Sequence, residues 1–455
     1  MLIFRDAELR SRILKVALPA MAEMLLYTII GLVDIAFVGR LGAAPLAAVG
    51  LGAEIFFSVV FFLEALGIGA AILVAQSKGA GNREDADRIT GYTYFIGLLM
   101  GLLAGYLGLR YSPAILGFFP LEAEVSAYVL GYLNITFLIA PLAVMVYMSG
   151  TVFRGLGRTD IPMKIALLAN VINIFGDYVL VFGKWGFPQM GVAGAALATS
   201  IAHAVVFVVI TYLLFSGKTE IRIRGRLLWP VRWNYVKEIF VLGLPNLAEQ
   251  FFYTSANLIS IFLLIYLGTL AFASHEVALT VEMVSYMPGF GIAVAVTSLV
   301  GQAVGAGNKT EMLRVSRGSM EMALLLMGMI GLAFALFPGA IARIFTNDPD
   351  VIGIAATLIR IAALEQLTIA LNMVAAGILK GTGDTRTPLY ISAAFTWLFR
   401  IPLLYLFIRV WSLDIRMVWY MFITDWFLRA ILYVIILQRG KWKDARRREL
   451  GSELR

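Results

Sequence analysis

Asp34, Asp177, Glu249, Glu276, Glu282, Glu365 and Asp425 stand inside long runs of Leu, Ile, Val, Ala, Phe and Met in which charge is otherwise rare. A carboxylate deep in an apolar span is costly, about 3 kcal/mol even on lenient insertion scales, so it faces protein or water and is a functional candidate by default. Asn173 and Asp177 are four residues apart, as are Thr199 and His203, which puts each pair on one helical face. Carboxyl, amide and hydroxyl groups in such a setting carry protons or coordinate hard cations. His203 reads as a packing and hydrogen-bonding residue, and Arg400 and Arg429 as structural cations paired with acids such as Asp425. Cysteine is absent and histidine is limited to His203 and His275, which removes thiolate metal sites, disulfides and cysteine nucleophiles. His275-Glu276 opens an HExxH pattern that fails at Leu279, and Gly217-Lys218-Thr219 ends a phosphate loop whose first glycine is replaced by Tyr212. An intramembrane enzyme lacks its nucleophile–base pair and its metal cluster.

The elements that position these residues follow from composition. The 455 residues are 60% hydrophobic and 15% charged, with a mean hydropathy of +0.85. Soluble domains run at roughly 45–50% and about 25%, so a water-soluble enzyme is excluded, and so is a disordered chain. Twelve apolar runs long enough to span a bilayer lie near 14–38, 46–75, 91–110, 124–152, 163–183, 191–216, 235–266, 272–303, 317–344, 350–379, 388–410 and 416–438. None alternates as barrel strands do. The chain therefore reads as an all-α polytopic membrane protein. Its first apolar run outlasts a signal-peptide core and lacks a clear small-residue cleavage site, so it reads as a retained span.

With the N-terminus in the cytoplasm, 28 of the 37 Lys and Arg residues fall on the inner side. They include Arg10, Arg12, Lys78, Arg83, Arg154, Arg158, Arg222, Arg224, Lys309, Arg314, Lys380, Arg386 and the run Arg446–Arg448. The opposite side holds Arg40, Arg110 and Lys184 among a few others, which places both termini in the cytoplasm. The net charge of +8 is thus an orientation signal, and no nucleic-acid partner is expected.

The chain also repeats itself at an offset of 226 residues. Leu18-Pro19 and Glu23 recur as Leu244-Pro245 and Glu249. Val74-x-Gln76-x-x-Gly79-Ala80-Gly81-Asn82 recurs as Val300-x-Gln302-x-x-Gly305-Ala306-Gly307-Asn308, and Gly155-x-Gly157-x-Thr159-x-x-Pro162 as Gly381-x-Gly383-x-Thr385-x-x-Pro388. Three matches in one register, across three different helices, define two halves. The expected lobes are residues 1–216 and 235–455, joined by a basic cytoplasmic linker, 217–234. Six spans per half give the halves the same orientation, a parallel repeat of the kind that builds transporters around a midplane site. The Gly-rich elements read as tight cytoplasmic turns. Glu23 and Glu249, each four residues after a proline, also fit a purely local role, accepting the backbone donors that the proline frees.

Several of these stretches resemble the multidrug and toxic compound extrusion (MATE) transporters, most closely the NorM-type branch. They are Gly31-Leu-Val-Asp34-x-x-x-Val38-Gly39, Val74-Ala-Gln76 with Gly79-Ala-Gly81, and Phe153-Arg154-Gly155-Leu-Gly157. In the second half they are Met287-Pro-Gly-Phe290, Val300-Gly-Gln302, and Leu379-Lys-Gly381-Thr-Gly383-Asp384-Thr-Arg-Thr-Pro388. The resemblance implies two six-helix lobes forming a V, exporting organic cations and other amphiphiles in exchange for H⁺ or Na⁺, with no further cofactor. It implies a monomer among the lipids of a prokaryotic cytoplasmic (inner) membrane. It also places Asn173, Asp177 and Thr199 around Asp34 as a first-lobe proton or Na⁺ site. Two carboxylates with amide and hydroxyl neighbours suit either ion, because shared burial favours holding a proton and hard oxygens coordinate Na⁺.

In the second lobe, Glu249, Glu276, Glu282, Glu365 and Tyr253 are candidates for substrate binding or coupling. Here the chain departs from one NorM pattern, which has a seventh-helix Glu eight residues after the proline and a tenth-helix Asp. Tyr253 occupies the first position and Ile369 aligns with the second. Met21, Met24, Tyr27, Phe251, Phe252, Tyr253 and Met287 could meet aromatic cations through stacking and cation–π contacts. The alternative cargo is a lipid-linked or other anionic metabolite moved by a flippase or exporter of the same superfamily. Such a cargo needs a cationic cleft, and few Lys or Arg lie inside the spans.

Overall fold

The structure is a computed structural model and describes residues 6–444. Among the described residues eleven helices are long and apolar enough to cross a membrane, and a bent helix pair, taken as one span, makes the twelfth. We label them α1 (Ala7–Val38), α2 (Ala43–Gly79), α3 (Arg83–Leu116), α4 (Ala123–Gly155), α5 (Asp160–Phe182) and α6 (Gly191–Ser216). The second set is α7 (Trp233–Leu264), α8 (Thr269–Gly305), α9 (Lys309–Leu336), α10a (Pro349–Ala362) with α10b (Gln366–Gly381), α11 (Arg386–Val410) and α12 (Ile415–Arg439). The all-helical class and the twelve spans expected from composition are present. Several helices extend past their apolar stretch. α3 begins at Arg83, not near residue 91, because Asp85, Asp87 and Arg88 in its first turns are buried against protein.

Two spans depart from straight helix. α10 bends by 51° at Ala363–Glu365, where no proline or glycine stands. At the bend the Leu364 and Glu365 amides bond three residues back, to Ile361 and Ala362, and Gly331 of α9 lies against the Ala363 carbonyl, where a Cβ would come within 2.9 Å. α11 contains two π-wound stretches, Phe395–Arg400 and Leu406–Val410.

The described chain forms two compact units, one of Ala22–Leu244 and one of the residues up to Met21 together with those from Pro245 onward. The divisions fall inside α1 and α7, beside the repeat-equivalent prolines Pro19 and Pro245. In the unit of Ala22–Leu244, α2, α3 and α4 pack together and α6 packs on α4 and α5. In the other unit, Leu9, Ile13, Val16 and Ala17 at the start of α1 join a core with Ile292, Val296, Met322, Ile369 and Val374. Polar contacts fasten the same segment: Arg12 pairs with Glu311 at 2.5 Å and Arg314 with Asp6 at 2.5 Å. The Leu9 amide and the Arg314 guanidinium hold the Asp6 carboxyl below its usual range.

Both halves use the same close approach. A Cβ on Gly155 would lie 2.3 Å from the Ala71 carbonyl oxygen, and one on Gly381 would lie 2.7 Å from that of Thr297. These positions are related by the 226-residue offset, and small residues here let α4 touch α2 and α10b touch α8. The repeated Gly-rich elements are tight turns, as the sequence indicates. Gly81 and Gly307 adopt φ of 69° and 66°, and Asn82 and Asn308 then cap α3 and α9 by accepting the Asp85 and Glu311 amides at 3.1 and 2.9 Å. The basic run Arg446–Arg448 lies outside the described residues.

Candidate functional site

Asp34 comes from the last turns of α1, Asn173 and Asp177 from one face of α5, and Thr199 from α6. The structure brings all four together in the unit of Ala22–Leu244, each no more than 1% exposed. The Thr199 hydroxyl donates to Asp34 Oδ2 at 3.3 Å, and the Asn173 amide donates to Thr199 Oγ1 at 3.1 Å. The carboxyl groups of Asp34 and Asp177 face each other within hydrogen-bonding reach. Yet Asp34 Oδ1, Asn173 Oδ1 and both oxygens of Asp177 lack a hydrogen-bond donor. Two carboxylates can bond each other only with a proton between them, so these orphaned oxygens fit either a shared proton or a hard cation. Among the described residues no Lys or Arg is ion-paired with either aspartate. Among the described residues, too, no three His, Asp or Glu side chains assemble as metal ligands, so a cation here would draw on Asn173 and Thr199 as well.

One member of this cluster carries no sequence signal. Tyr132 of α4 is fully buried, and its hydroxyl sits beside Asp34, Asp177 and Thr199. Gly52 of α2 makes room for its ring, which a Cβ there would approach within 2.7 Å. His203 hydrogen-bonds through Nδ1 to the Thr199 carbonyl at 2.8 Å and packs against Phe57 and Tyr147, in keeping with a packing role.

Glu23 does not accept backbone donors freed by Pro19. It accepts Arg154 Nη2 at 2.8 Å and the Tyr27 hydroxyl at 2.8 Å, and Arg154 also reaches Glu64 at 2.6 Å. Its repeat counterpart Glu249 pairs with Lys380 at 2.8 Å.

The second unit separates the remaining candidates. Glu365, 1% exposed, lies at the α10 break facing Glu282 of α8, and its Oε2 lacks a donor. Tyr286 donates its hydroxyl to Glu282. Tyr253 of α7 lies within electrostatic reach of Glu282 and Arg400, with its ring more than half exposed. Glu276 is partly exposed and, six residues before Glu282, lies on another side of α8. Asp425 is fully buried and held by both arginines, Arg400 at 2.5 Å and Arg429 at 2.8 Å. This cluster therefore joins three carboxylates to two guanidinium groups, where the first joins two carboxylates to none.

Comparison with known proteins follows the same division of the chain. The family model described as MatE matches residues 19–179 and again 245–406. A Thermotoga maritima protein described as probable multidrug resistance protein NorM is 34% identical over 437 residues, covering 96% of this chain and 94% of its own. A Pasteurella multocida protein of the same description is 27% identical, covering 94% and 93%. The fold is similar, at a TM-score of 0.88 and 23% identity, to a solved structure described as the outward-facing conformation of a multidrug resistance MATE family transporter, covering 96% and 97% of the two chains.

Proposed function

The chain belongs to the MATE family of integral membrane transporters, and on that premise we propose that it exports organic cations and amphiphilic drugs by antiport against H⁺ or Na⁺. Its relatives are described as multidrug resistance proteins, which supports this class of cargo. The observation that carries the coupling is the buried pair Asp34 and Asp177, which has no basic partner and of whose oxygens only Asp34 Oδ2, bonded by Thr199, has a donor. A doubly charged pair shut off from water is strongly unfavourable, and a proton or cation relieves it. In the proposed cycle the pair takes H⁺ or Na⁺ from outside, α1 shifts near Pro19, and the cargo leaves. The ion then departs inward and the restored carboxylates attract new cargo. Asn173 and Thr199 complete the site, Glu282 and Glu365 form a second carboxylate pair that couples ions or binds cargo, and Tyr253 and Glu276 contact substrate. Glu249 holds α7 through Lys380. The protein works as a monomer in a prokaryotic inner membrane with both termini in the cytoplasm.

The test is export of a cationic dye by proteoliposomes under an imposed pH gradient and then an imposed Na⁺ gradient. Acceleration by one gradient identifies the ion, and indifference to both overturns the antiport reading.

A further inference from the structure

We propose that the segment joining α6 to α7 is a docking surface for anionic phospholipid headgroups. It carries Lys218, Arg222, Arg224, Arg226 and Arg232 against one acid, Glu220. The proposal rests on the chain spanning a bilayer, with this segment at one membrane face.

The segment is folded, with Ile221 and Ile223 turned inward and the arginines that alternate with them turned outward. Ile221 and Ile223 are 1% and 3% exposed, while the alternating Arg222 and Arg224 face outward. Leu228 fills the space left by Gly91. The backbone is pinned to α6 and the first turns of α3. The Ile223 amide donates to the Leu214 carbonyl at 2.8 Å, the Arg222 amide to Asp87 at 2.7 Å and the Arg232 amide to Tyr92 Oη at 3.0 Å, while Arg88 donates to the Leu227 carbonyl at 2.8 Å.

These bonds decide the charge. Asp87 is engaged by a backbone amide and meets Arg224 only at 3.7 Å, Asp85 takes the Tyr235 hydroxyl at 2.5 Å, and Glu220 takes Lys78 at 2.6 Å. The nearby acids are thus occupied in holding the segment down; Arg222 Nε donates to the Phe215 carbonyl at 3.1 Å, and Arg222, Arg224 and Arg226 remain exposed to the outside. Beside them, Trp229 and Trp233 are 78% and 72% exposed, the latter being the first residue of α7. Indole rings favour the headgroup level of a bilayer. Guanidinium groups bind phosphate in bidentate fashion, and juxtamembrane basic clusters attract anionic lipid. A basic row followed by two such tryptophans, one of them a span's first residue, fits the phosphodiester belt of an anionic leaflet better than it fits water.

The experiment measures immobilisation of spin-labelled phosphatidylglycerol and phosphatidylcholine by the full-length protein in vesicles of the two lipids. The wild type is expected to prefer phosphatidylglycerol, and R222Q/R224Q/R226Q to lose that preference by about fivefold per charge removed. The control R317Q/K164Q, at exposed basic residues elsewhere, should keep it. High salt on the wild type gives the same comparison without substitution and should suppress the preference. A linker variant with wild-type preference, or a control variant that loses as much, overturns the proposal. The readout involves no drug, so it stands or falls separately from antiport.

Discussion

Arg154 Nη2 lies 2.8 Å from the carboxylate of Glu23 across 131 residues of chain, and Lys380 lies 2.8 Å from Glu249 across the same separation. The two pairs are related by the internal repeat. Each ties the helix just past its proline to the last turn of the fourth helix of its half. The first pair is the more deeply buried, with side-chain exposures of 12% and 1% against 18% and 23%, and Arg154 also serves Glu64.

R154Q leaves the carboxylates of Glu23 and Glu64 without their cation, and the expected loss is about 3–5 kcal/mol. R154K should retain most of the stability, because a lysine already fills this role at the equivalent position in the other half. K380Q should cost less, since its partner is better solvated. Thermal unfolding of the purified variants in one detergent ranks the three. Equal losses for R154Q and R154K would show that guanidinium geometry, not charge, is what matters.

Asp425 makes the opposite arrangement, one carboxylate between two guanidinium groups, and Asp425 and Arg429 occupy the repeat positions of Thr199 and His203. The same helical face is thus a hydroxyl–imidazole face in one half and an ion pair in the other. D425N leaves Arg400 and Arg429, whose side chains are 19% and 8% exposed, without their carboxylate and should destabilise by about 3–5 kcal/mol, visible as a lowered melting temperature. An unchanged melting temperature would mean that the rings of Phe422, Trp426 and Phe395, which lie 5.1–5.7 Å from the two guanidinium groups, suffice.

The small-residue contacts give a third expectation. G155A drives a methyl group into the Ala71 carbonyl, a backbone atom that cannot rotate away, and G381A does the same at Thr297. Overpacking of this kind costs about 1–3 kcal/mol. G131A, at a position with open space, should be neutral in the same unfolding assay.

The twelve spans and the repeat were legible because hydropathy and spacing are local, one-dimensional signals. Asp34 and Asp177 stood out as carboxylates inside apolar spans, but only the resemblance gathered them with Asn173 and Thr199 into one site, since helical periodicity alone joined only Asn173 to Asp177. Tyr132 was invisible, since a tyrosine among apolar residues reads as core until Gly52 is seen to admit its ring beside the aspartates. The partner of Glu23 was missed for a related reason. Arg154 stood in a motif read as a cytoplasmic turn, and nothing in the spacing says that a side chain returns 131 residues to reach a carboxylate. The α10 break has no proline or glycine to announce it, and the close approach of Gly331 of α9 to the Ala363 carbonyl is a tertiary contact that spacing does not reveal.

The two carboxylate clusters make separable predictions for coupling. In the first, Asp34 and Asp177 offer oxygens without donors and no fixed cation, so ion and cargo compete for the same charge. Excess H⁺ or Na⁺ should therefore displace bound cationic dye from the wild type. D34N removes one of the two charges with little change in shape. It should fold, retain part of its dye affinity, and lose at least tenfold in gradient-driven export, a loss of about 1.4 kcal/mol or more in coupling. Displacement by the ion should weaken in parallel. In the second cluster, Glu365 sits with Glu282, Tyr286 and Arg400 at a broken span, where backbone and side-chain groups can exchange partners. E365Q keeps the side-chain size and removes the carboxylate beside Arg400. If the first pair alone couples, E365Q should leave ion displacement intact and D34N should abolish it. If both clusters bind an ion, each substitution should remove part of the steepness of displacement and neither all of it. Displacement curves for the wild type, D34N and E365Q against pH and against Na⁺ decide between these, and full displacement in D34N would remove Asp34 from the coupling site.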